Sequence, residues 1–212
     1  MIITDPNAIE ARSMEIIESE LSVDIPEENK AVVKRVIHCT ADFDYAVNLA
    51  FSDGAYYIKN ELHLDPQIAV TTSNFIGDAF AIAAEFGFKG ALLVGHIGKL
   101  IKAAGGMFNT HSRYGDCRME IFAAHAGMCG ASADMVRSIM DSAMTDDMLA
   151  ILDKAGLREA VMESVMERMH FHLTHRPVGG MTVGAVTFSN VHGILGKTAV
   201  ADKLLEQIRK EY

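Results

Sequence analysis

An apolar run that ends in glycine and histidine constrains this chain more than any other feature. Residues 91–95 read Ala-Leu-Leu-Val-Gly, and His96 and Lys99 follow at once. Such a run between turn signals is typical of a buried strand. In an open α/β sheet, ligands bind beyond the carboxyl ends of the strands, where the chain turns into a helix. The sequence therefore predicts a buried strand here, with a ligand-binding edge where it ends.

The chain from residue 67 onward alternates between strand and helix patterns. Two further strands are predicted at 68–72 and 182–189. Apolar periodicity predicts helices over 74–86, 96–104, 113–128, 132–143, 146–155, 157–174 and 199–211. Suitable caps are Ser132 and Thr145, and suitable stops are Gly87, Gly130 and Gly156. Strands separated by helices predict an α/β fold with a parallel sheet flanked by helices.

The N-terminal quarter has helical patterns in place of this alternation. Asp5 is a suitable N-cap before Pro6, and Pro26 begins a second helix that has His38 near its end. We therefore expect an N-terminal helical segment in front of the sheet.

Small polar residues stand where the three predicted strands end. They are Thr72-Ser73-Asn74, Gly95-His96 and Ser189-Asn190. Because parallel strands end at one edge of a sheet, we expect these residues to share a cleft. The alternative is that Ser73, Asn74 and Asn190 only cap helices or turns.

Two polar clusters near this edge are candidates for ligand binding. His96 and Lys99 lie at a helix start, where a lysine and free backbone N–H groups can meet an anionic ligand. The alternative is a solvated lysine and a histidine that bonds locally. Asn109-Thr110-His111-Ser112 precedes a helix that is expected to start near Arg113 and to carry Glu120 two turns along the same face. Ser112 or Thr110 could be only an N-cap, whereas His111 beside Arg113 offers charge and proton transfer.

These motifs together resemble one enzyme family. Residues 72–78, 92–102, 109–112 and 118–120, taken in order, resemble cobalt-precorrin-5B C-1 methyltransferases, and the resemblance runs from about Tyr57 to Tyr212. It covers only part of the usual length and lacks that family's N-terminal half. The resemblance implies methylation of a cobalt-precorrin ring carbon that depends on S-adenosylmethionine.

We assign candidate roles on the basis of this resemblance. His96, Lys99 and Arg113 are expected to bind substrate carboxylates, with Asn109 and Thr110 beside them, and His111 is expected to transfer protons. The candidates on the cofactor side are Ser73, Asn74 and Asp78.

The first part of the chain resembles a second family. Residues 5–13 and 35–46 resemble the opening of precorrin-8X methylmutases, as far as about residue 55. The resemblance implies that His38 handles protons during the methyl shift and that Arg12 and Ser13 belong to the substrate site. Ser13 could instead bond the carbonyl of Ile9. The later arginines and central sheet of that family have no counterpart here, so His38 is expected to be an orphaned catalytic residue.

Charge supports a division into a partial methylmutase-like segment, 1–56, and a partial methyltransferase-like α/β domain, 57–212. The first holds 11 acidic and 4 basic residues, and the second holds 17 acidic and 15 basic residues.

The net charge of −9 and the lack of tryptophan argue against nucleic acid as a partner. Nothing in the sequence indicates a membrane span or a signal peptide. Three cysteines fit reduced thiols in the cytoplasm, and the spacing of His170, His172 and His175 does not make a metal site.

The sequence thus predicts a cytoplasmic α/β protein of cobalamin biosynthesis. S-adenosylmethionine is the expected co-substrate, although the glycine-rich half that resembles the family's cofactor-binding portion has no counterpart in this sequence. Cobalt is expected only within the cobalt-precorrin substrate. A homo-oligomer or a partner chain is expected to supply the missing half. The alternative is a non-catalytic module that binds or assembles corrinoids without chemistry.

Overall fold

The computed structural model describes residues 45–49, 54–66, 69–72, 74–175 and 180–211. The two helices predicted before residue 45, and the candidates Arg12, Ser13, His38 and Ser73, lie outside the described residues.

The described strands form one sheet in the order β2-β1-β3-β4-β5. They are β1 (Tyr45–Leu49), β2 (Ala69–Thr71), β3 (Gly90–His96), β4 (Thr182–Ser189) and β5 (Gly193–Lys197). The first four are mutually parallel, whereas β5 is antiparallel to β4. The predicted α/β class is confirmed, but the prediction of a wholly parallel sheet is wrong. Only residues 190–192 join β4 to β5, and a parallel neighbour needs a crossover of a dozen residues or more, about the length of a helix.

Two of these strands have no counterpart among the predicted strands. β1 lies within the methylmutase-like segment, yet it pairs with β2 on one side and β3 on the other. Its alanine and asparagine are poor strand formers, so the place between two neighbours selects the conformation. β5 contains two glycines and reads as a loop, but it completes the hydrogen bonding of β4.

The described residues include eight α-helices. They are α1 (Gly54–Asn60), α2 (Ile76–Glu85), α3 (Ile97–Ala104), α4 (Arg118–Met128), α5 (Ala133–Met140), α6 (Thr145–Lys154), α7 (Arg158–His175) and α8 (Ala201–Glu211). Seven of them correspond to the predicted helices. Ser132 caps α5 as expected, and Gly87, Gly130 and Gly156 have the positive φ angles of helix stops. None of the helices in the described ranges is long and apolar enough to cross a membrane.

Two predicted helix starts are wrong. The helix expected from residue 113 begins at Arg118, because a short 3₁₀ turn (Ser112–Tyr114) and Gly115 with φ of 141° interrupt the chain before it. Arg113 and Glu120 therefore do not share a helix face. Thr145 is the first residue of α6 rather than its cap, and Met144 precedes it without a capping side chain.

Helices cover both faces of the sheet. In β3, the side chains of Ala91 and Leu93 join the core beneath α2 to α7, and those of Leu92 and Val94 join a second core against α1 and α8. All four are fully buried. A parallel strand covered on both faces reads as a continuous apolar run, and this explains why the sequence signal of β3 is so strong.

A glycine in β4 allows close packing of α8 against the sheet. A Cβ atom added at Gly184 would lie 2.9 Å from Leu204 Cδ1, 3.2 Å from Val200 Cγ2 and 3.3 Å from the backbone of Ala201. Gly184→Ala should therefore lower the free energy of unfolding by about 1–3 kcal/mol, measured by urea denaturation. The matched control is Gly127→Ala in α4, where the added methyl group meets no atom within 4 Å. It should be neutral or stabilising by up to about 1 kcal/mol. Equal effects of the two substitutions would contradict this account.

A buried histidine makes stability depend on pH. His125 in α4 is 6% exposed, and its Nδ1 lies 2.8 Å from the hydroxyl of Ser164 in α7. Burial lowers the pKa of His125, and the nearby Arg168 lowers it further. The unfolded state therefore binds more protons once the pH falls below the ordinary histidine pKa of about 6.5. The stabilisation is complete above that pH and is lost as the pH falls below it.

We expect the free energy of unfolding to decrease between about pH 7 and pH 5 and His125→Gln to flatten this decrease. The control is His175→Gln, which replaces an exposed histidine at the end of α7. Denaturant melts at several pH values measure both. The same pH slope in the parent and in His125→Gln would refute the assignment.

Candidate functional site

The four parallel strands end at one edge of the sheet, which we call the carboxyl edge. Thr72 and Asn74 follow β2, His96 ends β3 and Ser189 ends β4. The predicted convergence of polar strand ends is therefore present in the fold. α2 and α3 both start at this edge, and the loop of residues 105–117 returns to it after α3.

Asn74 connects three of the predicted motifs. Its Oδ1 accepts a hydrogen bond of 2.8 Å from Lys99 Nζ and one of 3.0 Å from Thr110 Oγ1. The backbone N–H of Thr110 donates to the carbonyl of Asn74 at 3.0 Å. Phe75 and Asn109 form a β-bridge alongside. The sequence singled out these motifs separately, and the fold brings them into direct contact.

Lys102 also belongs to this cluster, and the sequence analysis missed it. Its side chain is 3% exposed, and its Nζ donates to the carbonyls of Thr110 at 3.1 Å and Gly115 at 2.9 Å. The sequence did contain an indication: Lys102 lies inside the apolar run of α3, Leu-Ile-Lys-Ala-Ala. A lysine at such a position is buried, and a buried lysine needs partners. Lys102 Nζ also lies 3.9 Å from Asp116 Oδ1.

The charges of the cluster act on one another. Arg118 binds both carboxylate oxygens of Asp116, with distances of 2.7 and 2.6 Å. This contact lowers the pKa of Asp116 and raises that of Arg118. Burial lowers the pKa of Lys99, and the positive charges of Lys102 and Arg118 lower it further, against the opposing effect of Asp116. Among the described residues, Lys99, Lys102 and Arg118 are thus close enough for their positive charges to act on one another, with the carboxylate of Asp116 beside them.

Two histidines have the same local geometry. His96 caps α3 and His111 caps the 3₁₀ turn, and each Nδ1 accepts a hydrogen bond of 3.1 Å from the backbone N–H two residues later. An Nδ1 that accepts a hydrogen bond carries no proton, so the neutral ring has its proton on Nε2. His96 therefore makes the local hydrogen bond that the sequence analysis left open as an alternative. At the 3₁₀ turn the capping side chain is that of His111, and not that of Ser112 or Thr110 as the alternative had it. His96 is half-buried and His111 is exposed.

The exposed turn between Asn109 and Gly115 carries the remaining candidates. Asn109 Oδ1 accepts the backbone N–H of His111 at 3.2 Å. Arg113 donates to the hydroxyl of Tyr114 at 2.8 Å, and its guanidinium lies 4.8 Å from that ring. Both side chains are exposed.

The end of β4 fixes the turn into β5 and joins it to α6 and α1. Ser189 is fully buried, donates to Asp146 Oδ1 at 2.8 Å and accepts the backbone N–H groups of Val191 and His192. Ser189 thereby fixes the turn into β5. Asp78 lies in the first turn of α2 and is half-buried.

Fold and site together define an α/β protein with a cationic, polar cluster at the carboxyl edge of its parallel strands. By sequence, residues 109–199 match the family model described as CbiD, C-terminal domain, and residues 8–68 match that of precorrin-8X methylmutase. The two resemblances identified from the motifs are confirmed. The methylmutase match extends past residue 55, where the motifs placed its end, and includes β1 and α1.

The individual relatives that match the larger part of the chain are named cobalt-precorrin-5B C(1)-methyltransferases. A cobalt-precorrin-5B C(1)-methyltransferase of Ruminiclostridium cellulolyticum is 37% identical over 172 residues, which cover 79% of this chain and 45% of that protein. The enzyme of that name from Photorhabdus laumondii is 33% identical over 159 residues, 74% of this chain and 42% of that protein. The one from Alkaliphilus metalliredigens is 27% identical over 203 residues, 96% of this chain and 51% of that protein.

The chain therefore spans about half the length of the curated relatives it matches. No solved structure matches it.

Proposed function

We propose that this chain acts in cobalamin biosynthesis by holding the substrate for C-1 methylation of cobalt-precorrin-5B. The observation that carries the proposal is the cluster of Lys99, Asn74 and Thr110, with Lys102 and Arg118 beside it. It lies in the part of the chain that aligns with relatives named for this reaction.

The chemistry of a cobalt-precorrin suits this cluster. Its ring carries acetate and propionate carboxylates, whereas the protein has a net charge of −9. Long-range attraction therefore cannot bring the substrate in, and local cations must bind it. Lys99 is half-buried and surrounded by further cations, so a carboxylate that binds there also relieves their mutual repulsion.

The exposed residues of the edge extend this site. In our proposal, His96 and His111 present Nε2–H donors to the substrate, and Arg113 presents its guanidinium from the turn. Asn109 and Thr110 fix the backbone between them. Because Nδ1 of His111 accepts the backbone N–H of Arg113, the neutral ring offers Nε2–H as a hydrogen-bond donor. Proton transfer by His111 would require that bond to open, so that Nδ1 can take up a proton and the imidazolium can release one.

The cluster does not fit the methyl donor. S-adenosylmethionine supplies a methyl group from a cationic sulfonium, and Lys99, Lys102 and Arg118 would repel that charge. Asn74, a candidate on the cofactor side, already accepts two hydrogen bonds at Oδ1. We therefore propose that the donor binds to residues outside this cluster, in a homo-oligomer or a partner chain, and that Asp78 contributes only to positioning.

The alternative is a non-catalytic module that binds or assembles corrinoids. The same misfit between the cationic cluster and a sulfonium favours it, because substrate binding needs no methyl donor. The role of His38 in a methylmutase-like site stays a prediction, as do the division at residue 56 and a cytoplasmic location. The free thiols of Cys117 and Cys129 agree with that location.

The role of Lys99 can be tested by binding. Lys99→Met should weaken the binding of cobyrinic acid, a corrinoid with free carboxylates, by about tenfold to a hundredfold, since a charge-assisted hydrogen bond contributes about 1.5–3 kcal/mol. Isothermal titration measures the affinity. Lys210→Met, which removes an exposed charge near the end of α8, should change little. Equal effects of the two substitutions, or none from either, would place the substrate site elsewhere.

Titration with S-adenosylmethionine separates full catalysis from substrate binding alone. The chain has no glycine-rich loop of the kind that lets backbone approach a nucleotide closely, so we expect weak or undetectable binding by the purified protein. A dissociation constant of about 1 μM, which corresponds to a binding free energy of about −8 kcal/mol, would contradict this expectation. It would also contradict the non-catalytic alternative.

A further inference from the structure

A buried lysine joins the two ends of an exposed segment. Lys102 Nζ donates to the carbonyl of Thr110 and to that of Gly115, which frame residues 111–114. These four residues are all exposed, and they include His111 and Arg113. We call residues 109–115 the clamp segment. One ammonium group thus holds both ends of the part of the edge that faces solvent.

Further contacts fix the two ends but do not join them. At the first end, the backbone N–H of Thr110 bonds the carbonyl of Asn74, and Asn109 bridges to Phe75. At the second end, Gly115 has a φ of 141°, and the N–H of Gly115 bonds the carbonyl of Ser112. Among the described residues, the ammonium group of Lys102 is the group that bonds both ends.

Neutralising Asp116 does not account for the buried lysine. Arg118 already binds that carboxylate through two hydrogen bonds of 2.7 and 2.6 Å, whereas Lys102 Nζ is 3.9 Å from it. Removing an ammonium group from water is unfavourable unless its donors are used. The donors of Lys102 are used on the carbonyls of the clamp segment, and Lys102 sits one turn of α3 beyond Lys99.

We propose that Lys102 is a positioning residue that holds the clamp segment in the conformation that binds an anionic corrinoid. The inference rests on the proposed function and assigns the preorganisation of its substrate site to a residue that does not contact the substrate. A segment that is already ordered loses less conformational entropy when the ligand binds. The clamp thereby strengthens binding by His111 and Arg113 without supplying a further contact.

The test uses trypsin, because the bond after Arg113 lies in the clamp segment. In Lys102→Met, an apolar side chain of similar length fills the buried space but cannot bond the two carbonyls. We expect native-state cleavage after Arg113 to accelerate by about tenfold or more, because a released loop opens locally at little free-energy cost. Cleavage after Arg137, an exposed residue in α5, reports wider unfolding and should not change.

Two measurements complete the design. Lys99→Met removes a cation one turn earlier in α3 and leaves both bonds of Lys102 to the clamp segment in place, so cleavage after Arg113 should match the parent. In Lys102→Met, the affinity for cobyrinic acid should fall by about tenfold, because the loop then loses conformational entropy when the ligand binds.

Each outcome decides a separate claim. Unchanged cleavage after Arg113 in Lys102→Met would overturn the inference, and so would a parallel increase after Arg137, which would show a general structural role. Faster cleavage with unchanged affinity would also overturn it. If the parent protein does not bind cobyrinic acid, the proposed function fails, and the proteolysis still decides whether Lys102 holds the segment.

Discussion

The burial of β3 on both faces is the constraint on which the rest of the described structure depends. Its side chains alternate between the two cores, so the strand cannot shift by one residue without exchanging them. Its register against β4 runs from Gly90 opposite Thr182 to His96 opposite Phe188. The point where β3 leaves the core is thereby fixed, and with it the start of α3 and the positions of Lys99 and Lys102.

The cluster at the carboxyl edge contains a solvent-accessible lysine and a buried one. Lys99 is half-buried and its Nζ donates to the side-chain oxygen of Asn74, so this charge lies where a ligand can reach it. Lys102, one turn later, is almost completely buried and bonds backbone carbonyls. The same residue type thus serves binding at one position and loop geometry at the other, and burial makes the difference.

The two sequence resemblances meet within one sheet. β1 falls in residues 8–68, which match the precorrin-8X methylmutase model, and β4 falls in residues 109–199, which match the CbiD C-terminal domain model. β3 lies between the two matched regions and pairs with both strands. β1 nevertheless forms a parallel ladder of five residue pairs with β3. Because main-chain hydrogen bonds do not depend on side-chain identity, a strand from either matched region can fill this place in the sheet. The strand order therefore shows that both matched regions contribute strands to one sheet.

The sequence by itself determined the α/β class, the buried strand β3, the extents of most helices and the edge where polar residues gather. These features come from local patterns: continuous apolar runs, helical periodicity, and glycines where helices stop. Tertiary structure alone decided that β1 and β5 are strands, because their weak intrinsic preference is overridden by hydrogen bonds to neighbours. It also decided the late start of α4, the local bonds of His96 and His111, and the role of Lys102. That role depends on two carbonyls 8 and 13 residues away, and only the folded loop brings them to one ammonium group.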